Sequence, residues 1–178
     1  MLTKASMVTI KEASPEEISY IDSLTIERIK ERSSDDSAQV NTYVVELEGT
    51  FIGYMTISQT NPAEIEIEEF ALLPEYRGQG YGRLAVKVLF NMLCAADENA
   101  GFYMRCLASE EPMIRLSTTE GFTIVGSDDK FFHLCKPCND ASTACIDDHK
   151  NKLSDNGGTL YRDNQDALIA LVKELQNA

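Results

Sequence analysis

No stretch of this sequence approaches the roughly 20 apolar residues of a membrane span, and the opening Met-Leu-Thr-Lys-Ala-Ser carries no run of signal-peptide length. A membrane protein and a secreted protein are therefore not expected, and the chain reads as cytoplasmic. Positive charge is scarce: 16 basic residues stand against 29 acidic ones, for a net charge of −13. Such a balance is repelled by polyanions, which argues against DNA, RNA and anionic membranes. It attracts cations, so amines, polyamines and Lys-rich peptides are the partners it favours. Residues 137–178 carry four basic and seven acidic residues, so −10 of the −13 belongs to the first 136. Repeats with periods of about 20 to 50 residues are absent, which excludes a solenoid or a propeller. Five cysteines cannot all pair within one chain, and Cys94 and Cys106 fall in predicted regular elements where cysteine acts as a small hydrophobe. A disulfide scaffold is not expected. What is present is 178 residues that are 43% hydrophobic, enough for one sizeable core.

Met7 to Lys11 reads as a strand, and Ser14-Pro15-Glu16-Glu17 supplies an N-cap, a first-turn Pro and an acidic third position for a helix running to Lys30. Ser33-Ser34-Asp35-Asp36 then breaks the pattern, and a mobile loop is expected there. Tyr43–Leu47 and Phe51–Ile57 are β-branched and aromatic runs around Glu48-Gly49-Thr50, a hairpin. After Asn61-Pro62, Ile65 to Leu73 alternates Ile with Glu and then becomes apolar, the mark of a strand half exposed at its start and buried at its end. From Gly82, Leu84, Ala85, Val88, Leu89 and Met92 recur at helical spacing. A strand at Phe102–Leu107, a short helix at Pro112–Thr119 ended by Gly121, and a hairpin of Phe122–Val125 with Phe131–Cys135 complete the core pattern. Residues 137–178 read as a polar linker followed by an amphipathic helix over Tyr161–Leu175.

The chemistry is concentrated in Arg77-Gly78-Gln79-Gly80-Tyr81-Gly82, between a strand end and a helix start. Glycines there let backbone N–H groups approach an anion, and the helix N-terminus adds partial positive charge, so the segment is a pyrophosphate cradle or a bare tight turn. It is not a P-loop, since no Gly-Lys-Ser/Thr follows, and its third Gly comes one residue early for a dinucleotide fingerprint. With Pro74-Glu75-Tyr76 and the strand end Phe70-Ala71-Leu72 before it, this segment resembles the acetyl-CoA signature of the GNAT superfamily of N-acetyltransferases. The order of elements around it also matches. Leu116 to Phe122 is similar to that family's second motif, and the resemblance spans about residues 5–136.

The resemblance implies an α/β fold with a mixed, mostly antiparallel sheet splayed at the cofactor-binding strand and flanked by helices, with residues 1–136 as the acetyltransferase domain. It implies acetyl-CoA as cosubstrate, with the amides of Gly78, Gln79, Gly80, Tyr81, Gly82 and Arg83 after Arg77 holding the pyrophosphate. The backbone of Phe70, Ala71 and Leu72 would pair with pantetheine, and an amide near Leu72 would polarise the acetyl carbonyl. The implied reaction is direct acetyl transfer to a primary amine on a small cation, a polyamine or a basic peptide. A Lys-like amine with pKa about 10.4 is less than about a thousandth neutral at pH 7, so a base is needed. Glu66 and Glu68 occupy the positions where the family often places it and share one strand face, with Glu69 on the other. Alternating Glu also marks a solvated strand face. Where the family usually has the Tyr that protonates departing CoA, this chain has Ser117, a shorter and less acidic hydroxyl. Glu110 stands where many members have Asn.

Alternatives from other classes are an acyl-CoA sensor without turnover and an interaction module recruited through the C-terminal helix, for which core packing, a homodimer contact and a lid stay open. Cys135-Lys136-Pro137-Cys138 with His133, Cys145 and His149 invites a metal reading. Only one Cys-x-x-Cys is present and the other spacings match no common zinc module, so no metal is expected. A Cys138–Cys145 bridge is open to the tail.

Overall fold

A computed structural model of the chain describes residues 8–24, 38–61, 64–139 and 143–178. Met7, the extension of the first helix through Ile29 to Lys30, the loop at residues 33–37 and Pro62 lie outside the described residues. The elements are β1 (Val8–Glu12), α1 (Pro15–Leu24), β2 (Gln39–Leu47), β3 (Thr50–Asn61), β4 (Glu64–Leu72), α2 (Tyr81–Ala96), β5 (Gly101–Leu107), α3 (Glu111–Thr119), β6 (Thr123–Ser127), β7 (Phe131–Pro137), α4 (Ala144–Asp155), β8 (Thr159–Leu160) and α5 (Asn164–Asn177). The strand order is β1-β2-β3-β4-β5-β7-β6-β8, with β1/β2, β2/β3, β5/β7, β6/β7 and β6/β8 antiparallel. This is the mixed, mostly antiparallel α/β architecture anticipated from the sequence. The chain divides into two compact units, Met1–Asn61 with Ile67–Leu93, and Pro62–Glu66 with Cys94–Ala178.

In the first unit, α1 starts where the capping residues dictate. The Ser14 N–H donates to Glu17 Oε2 at 2.9 Å and the Glu17 N–H to Ser14 Oγ at 3.3 Å, which satisfies two amides that the helix cannot. Ile21 packs with Val44 and Tyr54 in a buried cluster that Phe51 and Ala71 border. The β2/β3 hairpin is longer than its apolar run, from Gln39 to Asn61, and turns through Glu48 and Gly49, both with positive φ. α2 buries Ala85, Val86, Leu89 and Phe90, the stripe that helical spacing requires.

The second unit centres on β5, β7 and β6, whose Phe102, Phe132, Ile124 and Leu134 are almost wholly buried. Its tail departs from expectation. The stretch read as a linker contains α4, because Cys145, His149 and Leu153 recur every fourth residue and face inward. β8 then adds to the edge of β6. Asn164 bridges to the same strand, accepting from the Ile124 N–H at 2.7 Å and donating to Phe122 O at 2.9 Å. α5 buries Ala167 and Leu171 and leaves Ile169, Val172 and Leu175 exposed.

The cysteines also correct the sequence reading. Cys94 and Cys138 form a disulfide across 44 residues, so Cys94 is not simply a small hydrophobe and Cys138 is not available to Cys145. A pairing so distant in sequence has no local signature. Among the described residues, no helix is long and apolar enough to cross a membrane.

Candidate active site

β4 carries the site's first components. Its Ile65 and Ile67 are buried, while Glu64, Glu66 and Glu68 alternate with them and stay half-buried, as period-2 geometry demands. The three central glutamates have different partners. Glu66 Oε1 accepts from Arg105 Nε at 3.0 Å in a partly exposed ion pair. Glu68 Oε1 accepts from Ser58 Oγ at 2.6 Å. Glu69, on the opposite face, accepts from Tyr54 Oη at 3.0 Å. Burial, with the negative charge of Asp22 second, pushes the Glu69 carboxyl up to about 7. That protonation behaviour depends on tertiary surroundings, which is why only its strand face was legible in advance.

At the end of β4, Phe70, Ala71 and Leu72 are half-buried, and the chain turns through a short 3-10 segment at Pro74–Tyr76. Arg77 folds back so that its Nε donates to Leu72 O at 2.8 Å, and Gln79 Nε2 donates to Glu75 O at 2.7 Å. These two bonds hold the loop against the strand end. Gly78 and Gly80 have φ of +71° and +87°, and no protein atom lies within 4 Å of where a Cβ would stand on either. The left-handed backbone, not crowding, is what requires glycine here. Gly80 O accepts from the Leu84 N–H at 3.3 Å, which fixes the start of α2 at the loop. The first turn of α2 has no acidic side chain of its own to offset the positive end of its 16-residue dipole. Strand end, glycine turn and helix start thus form one continuous segment, with Arg77 through Arg83 together on it, and its backbone geometry suits an anion.

Residues 7–122 match the acetyltransferase (GNAT) family. The chain belongs to that family. Solved GNAT structures share the fold at low identity. Spermidine N-acetyltransferase SpeG from Vibrio cholerae, in complex with CoA and spermine, is 13% identical with a TM-score of 0.59, over 74% of this chain and 95% of that one. The Campylobacter jejuni N-acetyltransferase PseH is 15% identical with a TM-score of 0.57, over 74% and 98%. An Arabidopsis thaliana protein in complex with the bisubstrate analogue CoA-Ac-MVNAL is 16% identical with a TM-score of 0.55, over 73% and 98%. No curated protein matches the chain in sequence.

Ser117 is fully buried in α3, and its Oγ donates to Met104 Sδ at 3.2 Å. Its hydroxyl is engaged in the core. Glu110 Oε2 accepts from the Leu107 N–H at 2.7 Å and so caps the turn that leads into α3. Gly121, at φ +93°, ends α3, and Phe122 is buried, as the second motif implies.

The Cys/His grouping read from spacing is divided. His133 lies between Asp128 and Tyr103, with Nε2 at 2.7 Å from Asp128 Oδ2 and Nδ1 at 2.5 Å from Tyr103 Oη. Burial lowers the His133 pKa, with Asp128 opposing, so the ring is neutral at pH 7 and donates through Nε2 while accepting at Nδ1. Cys135, Cys145 and His149 are brought together instead, with their ligand atoms within 4.8 Å of one another. Cys145 and His149 share one face of α4, a helix the sequence reading did not place.

Proposed function

We propose that this chain transfers the acetyl group of acetyl-CoA to a primary amine by direct attack within a ternary complex. The observation that carries this reading is the glycine turn at Gly78 and Gly80, braced by Arg77 on Leu72 O and opening directly into α2. The pyrophosphate takes the amides of residues 78–83, and pantetheine runs along Phe70 to Leu72 as an added strand. The amine nitrogen attacks the thioester carbonyl, the C–N bond forms and the C–S bond breaks. An amide near Leu72 stabilises the charge that develops on the carbonyl oxygen.

Glu68 is assigned as the base that takes the ammonium proton, directly or through water. Glu66 is the less available of the two same-face carboxylates because Arg105 is paired with it. The CoA thiolate leaves without help from Ser117, which is compatible with turnover because a thiol pKa near about 8.5 makes it a tolerable leaving group. The net charge of −13 supports a cationic acceptor, and so does the spermine bound in the Vibrio cholerae enzyme that this chain resembles in fold.

The test is thiol release from acetyl-CoA with a panel of diamines, polyamines and basic peptides. Glu68→Gln is expected to lower kcat with little change in acetyl-CoA affinity. A second reading, an acyl-CoA sensor, draws support from the buried, engaged Ser117 hydroxyl, and tight binding without thiol release from any amine would select it.

A further inference from the structure

Cys135, Cys145, His149 and Glu64 belong to the second unit, and Arg77–Arg83 to the first. Cys135 is fully buried on β7, directly opposite Tyr103 of β5 in the antiparallel register. Opposed residues share a sheet face, so Tyr103 and Cys135 stand side by side. The His149 ring stacks on Tyr103 with centroids 4.0 Å apart and planes 6° off parallel, which fixes where its nitrogens aim. Cys145, one helical turn before His149, seats its sulfur so tightly on β5 that a Cβ on Gly101 would lie 2.6 Å from it. This glycine is required by the thiol's position.

The His149 side chain is only 7% exposed, and its Nε2 is a buried polar atom with no hydrogen-bond partner among the described residues. Glu64 Oε1 is 3.2 Å away, yet the two are not aligned for a hydrogen bond. A buried imidazole nitrogen without an aligned hydrogen bond is satisfied either by an ion pair with that carboxylate, when the ring is protonated, or by a metal ion that takes its lone pair. Two ligands of one tetrahedral ion have this relation, each pointing at the metal and not at the other. With bonds of about 2.0–2.1 Å to nitrogen and oxygen, their separation would be about 3.3 Å, and zinc–sulfur bonds of about 2.3 Å place two thiolates about 3.8 Å apart. The 4.8 Å bound on the Cys135, Cys145 and His149 ligand atoms brings those three into that frame, while Glu64 comes within it of His149 and not of both sulfurs. Asp148 also lies near His149, but it is exposed and paired with Lys152 at 2.7 Å.

We propose that Cys135, Cys145 and His149 ligate a zinc ion that fastens α4 to β7, with the Glu64 carboxylate, beside His149 at the start of β4, completing the site once the ion is bound. Two sulfurs with an imidazole select a borderline-soft ion over magnesium or calcium, and with Cys135 and His149 buried the ion ties two elements together, so the role is structural. Binding replaces the thiol protons, which are released as the two Zn–S bonds form.

The experiment is metal analysis of the purified full-length chain, followed by zinc and cobalt titration of the chelator-treated protein. Stoichiometric zinc, a thiolate-to-cobalt charge-transfer band with tetrahedral d–d intensity, and a thermal midpoint raised by zinc but not by magnesium are expected. Cys145→Ser and His149→Ala should each weaken zinc binding by about a hundredfold or more, while Cys106→Ser leaves it unchanged. His149→Cys, which restores a soft ligand, keeps the claim testable if His149→Ala does not fold. Sub-stoichiometric zinc with no midpoint shift would overturn the proposal. Undiminished binding in Cys145→Ser would overturn it as well, as would a Cys135–Cys145 disulfide with no metal. None of these outcomes depends on acetyl transfer, so this proposal and the assigned activity fail separately.

Discussion

The cradle after β4 and the cluster beneath α4 are both built from few residues, yet they encode their chemistry in opposite ways. From Arg77 to Gly82 the information is contiguous and resides in the backbone: two glycines adopt positive φ, and one helix begins. Around His149 it is dispersed over Glu64, Cys135, Cys145 and His149, on a strand start, a second strand and a helix. A local backbone device can be read from a string of six residues. A side-chain cluster exists only after the topology has brought its members together, and similar spacings occur where nothing gathers.

Substitutions on the two sides sharpen this contrast. The largest effect on turnover is expected at β4, where Glu68→Gln should reduce kcat by about a hundredfold or more, with acetyl-CoA affinity held within about twofold by calorimetry. In the second unit, closing a 44-residue separation by Cys94–Cys138 stabilises the fold by about 4 kcal/mol on loop-entropy grounds. Urea unfolding of the Cys94→Ala/Cys138→Ala double variant should show a loss of that order, with acetyl-CoA affinity less affected than stability. Gly80→Val forces a β-branched residue to a φ of +87°, at about 1–2 kcal/mol. It should weaken acetyl-CoA binding by about tenfold while circular dichroism stays unchanged.

Smaller effects follow from buried groups outside the cradle. Folding raises the Glu69 pKa from 4.5 to about 7, so the native chain retains a proton that the unfolded chain releases between those values. Stability therefore falls as pH rises across that window, and Glu69→Gln removes that part of the fall. Thermal midpoints at about pH 5 and about pH 8 measure the difference. Ser117→Ala should be the mildest, with kcat within about twofold and stability lower by about 1 kcal/mol or less, since the hydroxyl loses only a contact to sulfur. A large loss of kcat there would return Ser117 to the chemistry.

The same contrast explains what the sequence revealed of the fold. Elements with their own signals are legible: the Ser14/Glu17 capping box, the alternation along β4, the existence of α2 and the Gly121 stop, although of the α2 stripe only Ala85 and Leu89 are among its buried residues, with Val86 and Phe90 in place of Leu84, Val88 and Met92. α4 was not, because its inward stripe is Cys145, His149 and Leu153, two of which carry a polar or reactive group. β8 is only two residues long and exists by pairing with β6, so no periodicity announces it. In the site, the position of the cradle and the shared face of Glu66 and Glu68 were legible. Their separate partners, Arg105 and Ser58, were not, since each lies at least ten positions away in sequence.

The central claim, that the Arg77–Arg83 turn is a working acetyl-CoA site, is tested most directly by titrating acetyl-CoA into wild-type protein and Gly80→Val by calorimetry, then adding cationic amines and following thiol release. Saturable binding by the wild type is expected, weakened about tenfold in Gly80→Val, with thiol released by at least one amine. No binding by the wild type, or equal binding by both proteins, would contradict it and leave the glycine turn a structural feature.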